Sequence, residues 1–128
     1  MRKLIILLSL FIGLMSFGQT EIKITQKKCI PKKGYYLRLK SVFDDSRCPE
    51  NVQCIWAGEV SLIVEVYNDK KFIEEKTITL NSKNREENNL WFSKYYSGKI
   101  MSVGVLPYPK EGVVVKDKNK YIKIVFIN

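Results

Sequence analysis

The residues best suited to chemistry lie in one segment, residues 44–58, which reads Asp-Asp-Ser-Arg-Cys-Pro-Glu-Asn-Val-Gln-Cys-Ile-Trp-Ala-Gly. Cys48 and Cys54 would close a loop of about 7 residues if they were oxidised. Their spacing is too wide for a thioredoxin-like redox pair, and the usual zinc partners are missing. We therefore predict a structural disulfide between Cys48 and Cys54. A bridge that uses Cys29 is the alternative, and otherwise we expect Cys29 to be a half-buried thiol.

The other notable residues of this segment suit either a structural plug or a binding loop. Arg47 stands among carboxylates such as Asp45, so it either ties them together as a fork or binds an anion. We expect Trp56 to cap the disulfide or a sheet edge, and ligand stacking is the alternative. Pro49 stiffens the turn, and Gly58 is expected to adopt an unusual backbone angle. The carboxylates lack the spacing of a calcium loop, so we predict no metal site.

Catalysis is the function class that the composition favours least. The chain has no histidine, which removes Ser-His and Cys-His nucleophile pairs and most catalytic zinc sites. Carboxylates are adjacent at residues 44–45, 74–75 and 86–87, but neighbours on a strand point to opposite faces. Cys29 has only lysines near it in sequence and no activating base. We predict no catalytic residues and no cofactor.

The segment also carries a resemblance. Residues 45–49 (Asp-Ser-Arg-Cys-Pro), four further residues, and residues 54–58 (Cys-Ile-Trp-Ala-Gly) resemble a family of small exported bacterial proteins with the signature D-S-R-C-P-x4-C-x-W-A-G. The resemblance extends to a strand before the motif, a Val-rich strand after it, and a late Pro-Tyr-Pro before a terminal strand. It implies an exported all-β domain with an internal cysteine pair, and it implies no activity. Cys29 lies outside the signature.

Hydrophobic alternation predicts strands along most of the chain. The clearest are residues 35–43, 59–68, 72–80 and 121–127, with a hairpin turn at 68–71, and weaker strands are expected at 21–27 and 100–106. Residues 81–89 are polar throughout and predict a solvated loop, with at most a single helical turn at 85–90. About seven short strands favour an all-β antiparallel β-sandwich, with an open β-barrel as the alternative.

The N-terminus predicts export. Arg2 and Lys3 precede a run of mostly apolar residues at 4–15, and Ser16 and Gly18 suit a cleavage site before Gln19. The run is shorter than the roughly 20 residues that a membrane-spanning helix needs. We predict a signal peptide at 1–18, a single domain at 19–128, and a location in the periplasm or outside the cell.

The charge limits the partners. The whole chain has a net charge of +9, and loss of Arg2 and Lys3 with the signal peptide would leave +7. Export argues against nucleic acid as the partner of this basic chain. Scattered lysines that keep the domain soluble are the simplest explanation, while an envelope protein or an anionic surface stays open as a partner.

The expected function is a non-enzymatic binding or interaction module stabilised by the loop disulfide. A structural envelope subunit and a protease-inhibitor-like protein are the alternatives. A partner-binding face would show clustered exposed aromatic side chains, whereas a purely structural role would bury them. The candidates are Trp91, Phe92, Tyr95, Tyr96 and Tyr108.

Overall fold

The structure, a computed structural model, describes residues 18–127 and shows a mostly β chain with one α-helix in that range. The predicted signal peptide lies outside the described residues except for Gly18. The elements in chain order are β1 (Thr20–Ile24), β2 (Tyr35–Phe43), β3 (Val60–Asn68), β4 (Lys71–Leu80), α1 (Arg85–Ser93), β5 (Lys99–Leu106) and β6 (Tyr121–Ile127), with a short 3-10 helix at Asp117–Asn119 before β6.

The strands form two antiparallel three-stranded sheets. One sheet has the order β1-β6-β5 and the other has the order β2-β3-β4. The described residues thus contain six strands rather than the expected seven or so, and the sheets do not close into the barrel considered as an alternative. Each of the six ranges predicted as strands overlaps an observed strand, and the stretch between β4 and β5 holds α1 rather than a seventh strand.

β3 shows how alternation in the sequence becomes a two-sided strand. Val60, Leu62, Val64 and Val66 are buried on one side, as their period-two spacing predicts. On the other side Glu65 is also buried, and it accepts hydrogen bonds from the Arg38 guanidinium (2.7 Å) and from the hydroxyl of Tyr67. Burial raises the pKa of Glu65, but Tyr67 and Arg38 outweigh it and hold the pKa below its ordinary value.

The buried side chains of both sheets belong to one hydrophobic cluster. The cluster includes Leu39, Leu62 and Val64 from the β2-β3-β4 sheet. It also includes Ile122 and Ile124 from the other sheet. A backbone hydrogen bond from the Leu39 N–H to the Thr25 carbonyl (3.0 Å) joins β2 to the segment that follows β1. One shared core therefore supports the loops at the strand ends.

Helix α1 corrects the expectation of a solvated loop at 81–89. Its polar N-terminal half is held by amide side chains: Asn81 Oδ1 accepts from the backbone N–H of Asn84 (2.9 Å), and Asn88 Nδ2 donates to the Thr79 carbonyl (2.9 Å). Its C-terminal half places Trp91 and Phe92 in the core. Burial of those two rings stabilises a helix that local propensity alone does not favour.

Within residues 18–127, no helix has both the length and the apolar composition that crossing a membrane requires.

Candidate functional site

The candidate loop, residues 44–59, connects β2 to β3 and leaves the sheet as a hydrogen-bonded ribbon. The Ser46 N–H donates to the Glu59 carbonyl (2.8 Å), and the Glu59 N–H donates to Ser46 Oγ (3.2 Å). One step further out, the Cys48 N–H donates to the Ala57 carbonyl (3.0 Å). These bonds give the outgoing and returning chains a defined register up to the disulfide.

Gly58 is required by the close approach of the two sides of this ribbon. Its φ is +74°, and a Cβ at this position would lie 2.0 Å from the carbonyl oxygen of Ser46. A side chain would therefore meet both a disfavoured backbone conformation and a steric clash. The expectation of an unusual backbone angle at Gly58 agrees with this geometry.

The end of the loop is closed by the predicted disulfide. Cys48 and Cys54 are bonded, with their Cα atoms 5.9 Å apart, and the Val52 N–H donates to the Pro49 carbonyl (3.2 Å) in the turn between them. Cys29 is a free thiol and is exposed, which corrects the expectation that it is half-buried. It lies in the open connection between β1 and β2, where no strand covers it.

Arg47 anchors the base of the loop. Its Nε and Nη2 donate to the two carboxylate oxygens of Asp45 (2.9 and 2.8 Å), and its Nη1 donates to the Val105 carbonyl (2.5 Å). The Arg47 side chain is only 9% exposed, and its guanidinium lies 4.9 Å from the centre of the Tyr108 ring. This is the fork geometry, in which each of the three guanidinium nitrogens donates a hydrogen bond within the chain, and it favours the structural role over binding of an external anion.

The Arg47 guanidinium also sets the ionisation of Asp45. Partial burial raises the pKa of this carboxyl, but hydrogen bonds from Arg47 and its positive charge outweigh burial, so the pKa lies below its ordinary value. Asp45 is therefore charged at neutral pH. The Asp45–Arg47 pair acts as a structural clamp.

A second set of hydrogen bonds holds the loop from the side. The Glu50 N–H donates to the Pro109 carbonyl (2.9 Å), and the Glu111 N–H donates to Asn51 Oδ1 (2.7 Å). These bonds join the disulfide turn to the segment between β5 and β6. The loop is thus fixed at its base, at its tip and along one side.

Two large apolar side chains project from this fixed loop. Trp56 is 78% exposed, and its neighbour Ile55 is fully exposed. The expectation that Trp56 caps the disulfide or a sheet edge is therefore wrong. Trp56 instead borders a surface cavity whose other walls include Asn81, Ser82 and Lys83. Ile55 was not among the predicted site residues, although two consecutive large apolar residues in a polar loop are a signal that could have identified it.

The five candidate aromatic residues do not form one exposed face. Trp91 and Phe92 are buried in the core, which corrects their prediction as exposed. Tyr95 packs on Trp91 (ring centres 5.4 Å apart) and donates its hydroxyl to Glu74 Oε1 (2.5 Å), while Tyr96 packs on Phe126 (6.1 Å). Only Tyr108 of the five is exposed, at the rim of the candidate loop.

Burial changes the acidity of the two partly covered tyrosines. Burial and the hydrogen bond to Glu74 raise the pKa of Tyr95 to about 12, and burial raises the pKa of Tyr96 to about 12. Both hydroxyls are protonated at any physiological pH, so neither is poised to act as a base.

A cavity with a volume of about 430 Å³ lies between the loop base, α1 and β5. Three of its polar side chains are engaged by the protein itself. Arg47 donates to the Val105 carbonyl, Arg85 to the Met101 carbonyl (2.9 Å) and Asn88 to the Thr79 carbonyl. Those groups hold the two sheets and α1 together rather than converging on a ligand.

No group of three or more histidine, cysteine, aspartate or glutamate side chains in residues 18–127 could hold a metal ion. The loop offers apolar contact area on a rigid support, which is suited to recognition.

No known protein family, curated protein or solved structure matches the chain. The resemblance to the exported family therefore stays a prediction, and the functional argument rests on geometry.

Proposed function

We propose that this protein is an exported, non-enzymatic interaction module whose recognition element is the tip of the disulfide loop. The observation that carries the proposal is the exposure of Ile55 and Trp56 on a loop whose base, end and side are all fixed. A monomer gains nothing from holding such side chains in water, whereas a partner that covers them gains the hydrophobic stabilisation of both.

The rigidity of the loop should increase the affinity of its tip for a partner. A loop that is already ordered loses little conformational entropy when it binds, so more of the contact energy becomes affinity. Tryptophan is also among the residues that most often dominate protein–protein interfaces. Trp56, held just beyond the Cys48–Cys54 disulfide, combines both properties.

Local charge indicates the kind of partner. Residues 44–59 contain four carboxylates and one guanidinium, a net charge of −3, although the whole chain is +9. An apolar tip with an acidic surround fits an apolar pocket with a basic rim on another protein. The same acidic surround opposes binding of the tip to an anionic surface.

We infer that the two sheets pack face to face as a sandwich, with the loop at one end. The shared hydrophobic cluster and the hydrogen bond from the Leu39 N–H to the Thr25 carbonyl support this arrangement. Loops at the end of such a scaffold are the usual positions for recognition residues.

Inhibition of a protease is a second candidate with its own observation. Ile55 and Trp56 directly follow the ring that the Cys48–Cys54 disulfide closes, and exposed apolar side chains held beside such a ring suit insertion into an active-site cleft. Reversible inhibition of a secreted or periplasmic protease that disappears in a Trp56→Ala variant would distinguish this function from docking to a structural partner.

The deciding experiment places a photo-crosslinking amino acid at position 55 and, as a control, at position 90 on α1. Leu90 is also an exposed apolar residue, and the two surface cavities that it borders include no residue of the loop. Irradiation of the exporting host should give one discrete crosslinked species at position 55, which Trp56→Ala removes, and none at position 90.

Thermal melts accompany the crosslinking. Because Trp56 is exposed, Trp56→Ala should change the free energy of unfolding by less than about 0.5 kcal/mol. A crosslinked species that survives Trp56→Ala in a protein with an unchanged melting temperature would contradict the proposal.

A further inference from the structure

The end of the β2-β3-β4 sheet opposite the candidate loop brings together two segments that are distant in sequence. β3 turns into β4 through Asp69 and Lys70, which have φ values of +51° and +68° and suit a tight hairpin. The Asp69 N–H donates to the Gly34 carbonyl (3.1 Å), and the Gly34 N–H donates to Asp69 Oδ1 (2.7 Å). The turn is therefore joined to the start of β2.

This junction concentrates positive charge. The basic end, as we define it, comprises the exposed lysines Lys32, Lys33, Lys70 and Lys71. The connection at residues 25–34 carries two further lysines, Lys27 and Lys28, and no carboxylate. The turn at residues 69–71 contributes one carboxylate, that of Asp69, which already accepts the Gly34 N–H. The lysines of the basic end are thus not neutralised by acidic residues of their own segments.

Large apolar side chains border the same lysines. Tyr35 directly follows Gly34, and Phe72 and Ile73 directly follow Lys71; each of the three side chains is more than half exposed. Tyr35 is oriented by contact with the Tyr95 ring (5.3 Å between centres), and Phe72 by an edge contact with the Tyr67 ring (5.8 Å). Tyr35 therefore lies on the core side of the sheet and Phe72 on the opposite side, so the cations and the exposed apolar groups meet at this end of the sheet from both of its faces.

We propose that the basic end binds the surface of an anionic lipid bilayer. Lysines gain from the negative potential of anionic headgroups, and aromatic and aliphatic side chains gain by entering the boundary between headgroups and acyl chains. A soluble polyanion would interact favourably with the lysines alone and would leave the side chains of Tyr35, Phe72 and Ile73 in water. This inference is independent of the proposed function of the loop.

The fold then determines an orientation. β2 and β3 are each nine residues long, so the candidate loop lies about 30 Å from the basic end along the strands. The loop, with its net charge of −3, is repelled by the surface that attracts the lysines. A protein bound through the basic end presents Ile55 and Trp56 away from the membrane.

The test uses protein recovered after export, with all variants sharing one N-terminus determined by mass spectrometry. It measures cosedimentation with vesicles of phosphatidylcholine alone and with vesicles of phosphatidylcholine and phosphatidylglycerol at about 2:1. We expect binding only to the anionic vesicles, falling at least about tenfold as salt rises from about 0.05 to 0.5 M.

A matched pair of variants separates this site from net charge. Replacement of the four lysines of the basic end by glutamine should weaken binding at least about 100-fold. The control replaces four exposed lysines elsewhere, Lys94, Lys110, Lys116 and Lys118, and should weaken binding less than about fivefold. Equal losses in the two variants would overturn the proposal, because net charge alone would then explain the binding.

Two further measurements test the apolar contribution and the geometry. Ile73→Ser should weaken vesicle binding severalfold. Part of this loss of affinity should persist at high salt, because salt screens charges and not apolar contacts. A polarity-sensitive fluorophore on the exposed thiol of Cys29, within the connection 25–34, should shift to shorter wavelength with anionic vesicles. Retention on heparin without vesicle binding would identify a polyanion site and overturn the membrane proposal, provided that circular dichroism shows the variants folded.

Discussion

The Arg47 Nη1 donates a hydrogen bond to the main-chain carbonyl of Val105 at 2.5 Å, and this bond joins the loop of one sheet to the edge strand of the other. Arg85 forms a similar bond from α1 to the Met101 carbonyl on the same strand. β5 is the outer strand of its sheet, and unpaired carbonyls on such a strand invite pairing with other chains. The two arginines therefore stabilise the tertiary structure and protect this edge.

Removal of the Arg47 guanidinium should destabilise the fold. Arg47→Ala removes the donor to the Val105 carbonyl and leaves the Asp45 carboxylate with only the backbone N–H of residue 47 (3.3 Å), at a cost of about 2–4 kcal/mol. Arg47→Lys should restore less than half of this loss, because an ammonium group cannot form the two-pronged contact. Urea denaturation at pH 7 measures both variants. An Arg47→Ala protein as stable as the wild type would contradict the structural role of this clamp.

The same pair predicts a pH dependence. The pKa of Asp45 is lower in the folded chain than its ordinary value, so the unfolded chain takes up this proton first as the pH falls. The contribution of the pair is therefore complete at neutral pH and is lost as the pH falls below about 4 and through the folded-state pKa. Denaturation curves from pH 3 to 7 should show a smaller acid-induced loss of stability for Asp45→Asn than for the wild type.

Gly58→Ala should be much more damaging than glycine replacement elsewhere. The new Cβ would lie 2.0 Å from the Ser46 carbonyl oxygen, and we expect a loss of more than about 3 kcal/mol. Gly112→Ala is the matched control, since its φ of +77° is nearly the same but no atom lies within 4 Å of the added Cβ. That variant should lose only about 1 kcal/mol. Similar melting temperatures for the two variants would contradict the close approach of residue 58 to the Ser46 carbonyl.

The disulfide should contribute modest stability to the whole domain. Constraint of a loop of about 7 residues corresponds to about 2.4 kcal/mol in the chain-entropy account, which Cys48→Ser with Cys54→Ser should remove. Peptide mapping without reduction should find Cys48 linked to Cys54 and Cys29 open to alkylation. A fragment that links Cys29 to either partner would contradict the assigned pairing.

Tyr96 should make the fold sensitive to alkaline pH. Its pKa is raised to about 12, so the folded chain retains this proton where the unfolded chain has lost it. The corresponding stability is complete below about pH 10 and is lost as the pH rises toward 12. Tyr96→Phe should flatten this part of the stability curve, and spectrophotometric titration should lose one late-titrating phenol. An unchanged alkaline titration would rule out the burial assigned to Tyr96.

Strand positions were predictable because each strand carries its own pattern. Residues 35–43 and 121–127 were predicted with the same limits as β2 and β6, since one buried face imposes a two-residue period on the sequence. The cysteine pair was predictable for a similarly local reason, because Cys48 and Cys54 are close in the chain. The helix was not, since its first half is polar and only packing of Trp91 and Phe92 against the sheets makes it form.

By itself, the sequence determined the β-rich character of the chain, its main strands and the disulfide, all properties that depend on neighbouring residues. Only the tertiary structure decided which large side chains face solvent. Trp91 and Trp56 are both aromatic residues in polar surroundings, yet one is in the core and the other is exposed. The difference is what each position packs against: Trp91 lies in the hydrophobic core that both sheets share, whereas Trp56 borders a surface cavity lined mainly by small and polar residues.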